Sequence, residues 1–168
     1  MKKIIAVFIL GLSISTVGLF ADHGSGFAVG PVISGGGGTG GAGGTFGATL
    51  KFPSLPVFWT AKLRFGSSGL GLGVTGDYYF IDRDLVQDGN FNLDWFIGIG
   101  GYLNMGFYDD FLLSLGARLP IGLSWHIARP FELYLALVPS LGLEVTPNVD
   151  FPDFDIGAEL GFRFWLAN

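Results

Sequence analysis

The run Asp155-Ile156-Gly157-Ala158-Glu159-Leu160-Gly161-Phe162-Arg163-Phe164-Trp165-Leu166 decides how this chain folds. Taken alternately, it separates into Ile156, Ala158, Leu160, Phe162, Phe164 and Leu166 on one side, and Asp155, Gly157, Glu159, Gly161, Arg163 and Trp165 on the other. Successive side chains of a strand point to opposite faces, so this period of two predicts a strand between two different environments. One face is greasy; the other is charged or very small.

Working towards the N-terminus, the same division recurs. Residues 131–145 place Phe131, Leu133, Leu135, Leu137, Pro139, Leu141, Leu143 and Val145 against Glu132, Tyr134, Ala136, Val138, Ser140, Gly142 and Glu144. Pro139 lacks a ladder donor and predicts a bulge or bend there. Residues 113–126 place Leu113, Leu115, Ala117, Leu119, Ile121, Leu123 and Trp125 against Ser114, Gly116, Arg118, Pro120, Gly122, Ser124 and His126. The stretches 93–107, 70–80, 57–65, 45–52 and 27–33 alternate likewise, with more glycine. Eight strands are predicted.

Composition agrees with an all-β domain. The 168 residues are 49% apolar, yet beyond the N-terminus nothing approaches the ~20 consecutive apolar residues of a spanning helix. The 29 glycines disfavour helices, and the 15% aromatic content suits pleated strands. No cysteine is present, which excludes disulfides, thiolate catalysis and an acylated lipoprotein cysteine. Met1-Lys2-Lys3, the apolar run 4–12 and a small Ala21 before Asp22 have the layout of an export signal. Residues 1–21 are therefore expected to be removed, leaving 22–168 as the mature domain. Losing Lys2 and Lys3 takes the net charge from −5 to −7, so no basic footprint for nucleic acid remains.

Alternation alone fits a soluble cup as well as a membrane barrel; the charged faces discriminate. They carry Lys51, Lys62, Arg64, Arg118 and Arg163 together with Asp77, Asp94, Glu132, Glu144 and Glu159, five of each sign. A closed lumen needs such balance, because a charge taken out of water must be paired. Phe27, Phe52, Trp59, Tyr78, Phe80, Trp95, Trp125, Phe131 and Phe164 fall on the apolar face near strand ends that would share one rim, as an interfacial girdle does. A closed barrel also pairs every backbone group, which a membrane demands. With eight strands both termini share a side. Turns at 53–56, 82–92 and 126–130 are expected there, and loops at 34–44, 66–69, 108–110 and 146–154 opposite. Such compact loops offer little surface for adhesion or catalysis.

Other chemistry is weak. His23 and His126 lack ligand spacing, and the glycine tract 35–44 is followed by no Lys-Ser or Lys-Thr, so it reads as a loop rather than a phosphate cradle. Asp109, Asp110, Asp150, Asp153 and Asp155 suggest calcium binding or hydrolysis only in principle; loop solvation is the expectation. No catalytic, metal or cofactor site is predicted.

Glu159, Gly161, Phe164 and Leu166 resemble the C-terminal assembly signal of outer-membrane barrels, which implies recognition by the barrel assembly machinery. The segments Arg118-Leu119-Pro120-Ile121-Gly122-Leu123, Pro130-Phe131-Glu132-Leu133 and Gly161-Phe162-Arg163-Phe164 carry a wider likeness. Over most of the mature domain the layout resembles small outer-membrane barrels similar to the OmpA transmembrane domain and to OmpW, in spirochaetal versions. The resemblance implies an eight-stranded antiparallel up-and-down transmembrane β-barrel, monomeric, in contact with outer-membrane lipid and mainly structural. Its lumen would be filled by the ten charges named above, since a barrel of this size has an interior just wide enough for side chains. Gly71, Gly73, Gly98 and Gly100 would instead favour a narrow OmpW-like channel for small or apolar molecules, and a surface adhesin is a third expectation.

Overall fold

In a computed structural model the chain is described at residues 26–39, 41–66, 69–88, 91–107, 110–128, 130–146 and 149–166. The export-signal residues and His23 lie outside these. The alternating runs become nine antiparallel strands: β1 (Phe27–Gly38), β2 (Gly41–Lys51), β3 (Phe58–Gly66), β4 (Gly69–Asp88), β5 (Phe91–Phe107), β6 (Phe111–Arg118), β7 (Ile121–Ala128), β8 (Phe131–Thr146) and β9 (Asp150–Leu166). Apart from β6 and β7, which do not pair with each other, each pairs with its neighbour in sequence, and β1 closes on β9 with Phe27 opposite Leu166. Both described ends of the chain therefore lie at one end of a closed up-and-down barrel.

β6 and β7 are two halves of one stave, since both lie between β5 and β8. The ring thus has eight staves. The break at Leu119-Pro120 coincides with two prolines, Pro120 on the β5 side and Pro139 on the β8 side. Leu119 N–H donates to the Pro139 carbonyl at 2.9 Å, and Gly98 N–H donates to the Pro120 carbonyl at 2.8 Å. Neither proline can return a bond, so the ladder continues through their carbonyls alone. Towards β9, Pro139 stays in register opposite Ile156. The bulge expected at Pro139 is absent there, and the irregularity on β8 falls between Gly142 and Glu144.

Three predicted connections prove to be largely strand. The tract expected as a loop at 34–44 continues β1 and β2, with Gly36 opposite Gly43 and Gly38 opposite Gly41. Glycine shows no side-chain alternation, yet its main chain pairs as any other does. The turn expected at 82–92 is mostly a hairpin, with Asp88 opposite Phe91; register shifts at Tyr79/Ile81 and Asp84/Val86 reset the parity and hide it from pattern reading. β9 starts at Asp150, inside the loop expected at 146–154.

The two faces part as sharply as the sequence. On the outside, Leu135 is 54% and Leu137 61% exposed, with Ile33, Ile99, Ile156 and Leu160 similarly uncovered. Facing inwards, Glu132 is 0% and Arg163 1% exposed. Outer aromatics meet in register at the terminal rim, Phe27 with Phe52 at 5.8 Å and Phe131 with Phe164 at 5.5 Å between ring centres. At the opposite rim Phe107 and Phe111 do the same at 5.6 Å. Among the described residues no helix is long and apolar enough to cross a membrane, which bears only on helices.

Candidate functional site

Inward parity on every stave gathers polar and aromatic side chains into the lumen, arranged in three tiers. The tier nearest the termini is built around Arg163 of β9. Its guanidinium lies between the Phe58 ring, 4.1 Å away, and the Tyr134 ring, 3.9 Å away. It donates to Glu132 Oε1 at 2.7 Å and to the Tyr79 hydroxyl at 3.1 Å, while Trp165 Nε1 donates to Glu132 Oε2 at 2.6 Å. Tyr79 in turn stacks between Phe58 at 4.6 Å and Phe96 at 4.4 Å. A desolvated cation flanked by ring faces and held by a carboxylate has its lost hydration replaced on several sides.

Three of these rings fit because each lies over a glycine of the next stave. Tyr134 is in register with Gly161, Phe96 with Gly122 and Tyr79 with Gly98. A Cβ on Gly161 would stand 2.2 Å from Tyr134 Cε1, and one on Gly122 2.5 Å from Phe96 Cζ. Only a missing side chain leaves the slot that the ring occupies.

The middle tier is ionic. Arg118 Nε lies 3.1 Å from Asp77 Oδ1, and Arg118 donates from its terminal nitrogen to Glu159 Oε1 at 2.8 Å. Lys62 Nζ pairs with the same Glu159 oxygen. Two cations and two anions from β3, β4, β6 and β9 thus meet across the lumen, which closes the charge balance of this tier.

The third tier, at the end away from the termini, holds a cavity of about 400 Å³. Arg64, Glu144, Asp153 and Asp155 stand in its walls, glycines including Gly36, Gly43, Gly71 and Gly73 leave its space, and Arg118 and Glu159 form part of its floor. Asp153 and Asp155, expected to solvate a loop, instead lie on β9 facing this lumen. Of the four glycines expected to leave a passage, Gly71 and Gly73 do line the cavity. Gly98 and Gly100 do not, because the Tyr79 ring and the Asp77 carboxylate cover them.

The ten charges singled out from sequence therefore sort by tier. Glu132 and Arg163 form the terminal tier, and Lys62, Asp77, Arg118 and Glu159 the middle one. Arg64 and Glu144 stand apart in the cavity walls. Lys51 is buried at the terminal rim, donating to the Phe52 carbonyl at 2.9 Å. Asp94 lies 3.1 Å from Nδ1 of His126, which belongs to β7 rather than to a turn. Of the assembly-signal positions, Glu159 and Gly161 face inwards, whereas Phe164 packs on Phe131 outside and Leu166 pairs with Phe27.

Sequence reading missed most of the aromatic contribution to the lumen. Phe58, Tyr79, Phe96 and Tyr102 share parity with Lys62, Asp77, Asp94 and Asn104, and that shared parity was the available signal; Trp165 and Tyr134 were already on the charged faces. Among the described residues no group of three or more His, Asp or Glu side chains is placed to hold a metal ion.

No protein-family model and no curated protein sequence matches the chain. Among solved structures, the chain is similar in fold to Neisserial surface protein A, with a TM-score of 0.46 and 11% identity. That similarity covers 85% of this chain and 98% of the other.

Proposed function

We propose that this chain is an integral outer-membrane β-barrel whose role is mainly structural, with a lumen blocked to free passage. The observation that carries the reading is the inversion of a soluble protein's surface. Leu135, Leu137, Ile99 and Ile156 face outwards around the wall while Arg163, Glu132 and Arg118 are enclosed. A water-exposed barrel would hold the reverse, and an uninterrupted apolar band of this kind marks a lipid contact. Closure of the ring supports the same reading, since among the described residues every stave pairs with a neighbour on both sides.

The lumen favours structure over transport. Arg163 with Phe58, Tyr79, Phe96 and Tyr134, and the ionic tier beyond them, leave the cavity blind at its terminal end. An OmpW-like route for apolar molecules finds no apolar path through those tiers. In this reading the protein performs no catalytic step, works as a monomer and contacts membrane lipid. Phe164 and Leu166, presented outwards beside the closing seam, fit recognition by the barrel assembly machinery during insertion.

The folded protein should migrate faster unboiled than boiled on a denaturing gel and should partition with the outer membrane; a species soluble and monomeric without detergent would defeat the reading. Single-channel recordings on refolded protein should show no steady large conductance. Leu135→Arg places a charge on the apolar wall and should cost roughly 2–4 kcal/mol if that position lies near the bilayer midplane. Unfolding in lipid vesicles checks this, and an unchanged transition would argue against lipid there.

A further inference from the structure

The cavity at the end away from the termini carries an unbalanced charge. In its floor Lys62 and Arg118 are matched by Glu159 and, just beneath, by Asp77. In the walls above, Arg64 is the one cation among the described lining residues, against Glu144, Asp153 and Asp155. A recess lined by one excess sign concentrates solutes of the other sign. The carboxylates do not converge as a metal-ligand set, so they suit charge spread along a molecule better than a single ion.

Two further groups that face the cavity, from β4 and β5, accept hydrogen bonds or a cation. Thr75 is only 3% exposed, faces the cavity, and its hydroxyl has no hydrogen-bond partner among the described residues. Tyr102 stands opposite it in register, laid over Gly116 and Gly142 so that a Cβ on Gly142 would stand within 2.2 Å of its hydroxyl. Gly142 is itself paired with Asp153, which brings the phenol towards the acidic wall. An alkylammonium group donates three hydrogen bonds and accepts none, and it is attracted by aromatic faces. Carboxylates of β8 and β9, a free hydroxyl of β4 across the ring and the phenol of β5 line one cavity and form a matching set.

We propose that this cavity binds a small organic cation of the aliphatic diamine or polyamine class. Its volume of about 400 Å³ lies in the range of small-molecule sites. One ammonium group lies on the Asp155 and Tyr102 side with Thr75 facing it across the lumen, and the other reaches Glu144.

The test is calorimetric titration of putrescine into the refolded full barrel in detergent micelles, with folding verified by circular dichroism. Wild-type protein should bind saturably at one site. Glu144→Gln combined with Asp155→Asn should weaken binding about tenfold or more, Thr75→Val should weaken it severalfold, and Arg64→Gln should tighten it. Asp84→Asn, on the exposed hairpin at the other end, should leave it unchanged. Absence of saturable binding, equal binding by the double variant, or preference for succinate over putrescine would each overturn the proposal. Tighter binding of calcium than of putrescine at the same carboxylates would replace it with a metal site. Should the double variant misfold, Arg64→Gln keeps the test decisive, because weaker binding by that variant contradicts the charge argument. The titration is read in micelles, so its failure leaves the membrane assignment standing.

Discussion

Arg163 and Arg64 both occupy lumen-facing positions, yet one is wrapped on every side and the other borders empty space. The difference lies in what sits in register beside them. Around Arg163 an aromatic on one stave meets a glycine on the next, as Tyr134 meets Gly161 and Phe96 meets Gly122. Around Arg64 glycine meets glycine: Gly71 stands opposite Gly106, and Gly36 opposite both Gly43 and Gly157. The same residue type thus makes a packed tier or a cavity according to its cross-strand partner. Glycine count alone does not measure lumen space.

The sharpest way to break this comparison is to remove the carboxylate of the packed tier. Glu132→Ala leaves the Arg163 guanidinium and Trp165 Nε1 without their shared acceptor in a fully enclosed site. Breaking a buried pair in this manner costs about 3–5 kcal/mol. Urea unfolding in micelles, followed by Trp fluorescence, should register that loss; a shift below about 1 kcal/mol would mean the terminal tier is wet.

Next in size is a pair of substitutions on β9 that differ by four residues in position. An added methyl at Gly161 must displace the Tyr134 ring that covers Arg163, so Gly161→Ala should destabilise by roughly 1–3 kcal/mol. At Gly157 the nearest atom to a new Cβ is the Gly35 carbonyl oxygen at 3.6 Å, an ordinary contact. Gly157→Ala should therefore be neutral or slightly stabilising, because alanine loses less backbone entropy than glycine. Equal effects at both positions would remove the distinction between the two halves.

How much of this was legible follows from where side chains carry the signal. Along β9 and β8, where Leu, Phe, Arg and Glu alternate, the strands, their faces and the charged members of the lumen could be read residue by residue. Along Gly35 to Gly44 the period vanishes because there is nothing to alternate, although the main chain pairs throughout. Past Tyr79 the bulges shift parity, so the sequence pattern of the β4–β5 hairpin resembles that of a turn. The ionic residues were nameable in advance, but their sorting into tiers was not, because it depends on register across the barrel. Phe58 and Phe96 were hidden for a simpler reason: an aromatic in a greasy sequence is read as outward unless its parity is checked against Lys62 or Asp94.

The smallest expected effect gives the cleanest contrast with the packed tier. Arg64 makes no ion pair among the described residues, and its head group borders the cavity. Arg64→Gln should change stability by no more than about 0.5 kcal/mol, the range of exposed positions away from packed features. Arg163→Gln, the same chemical change two tiers away, leaves Glu132 enclosed without its cation and should cost about 3–5 kcal/mol. Because both substitutions delete one guanidinium from one lumen, whole-barrel charge cannot account for a gap between them. A gap of severalfold would assign stability to the aromatic-on-glycine packing of the terminal half. Equal costs would mean that Arg64 is held as firmly as Arg163, and that its end of the lumen is closed in solution.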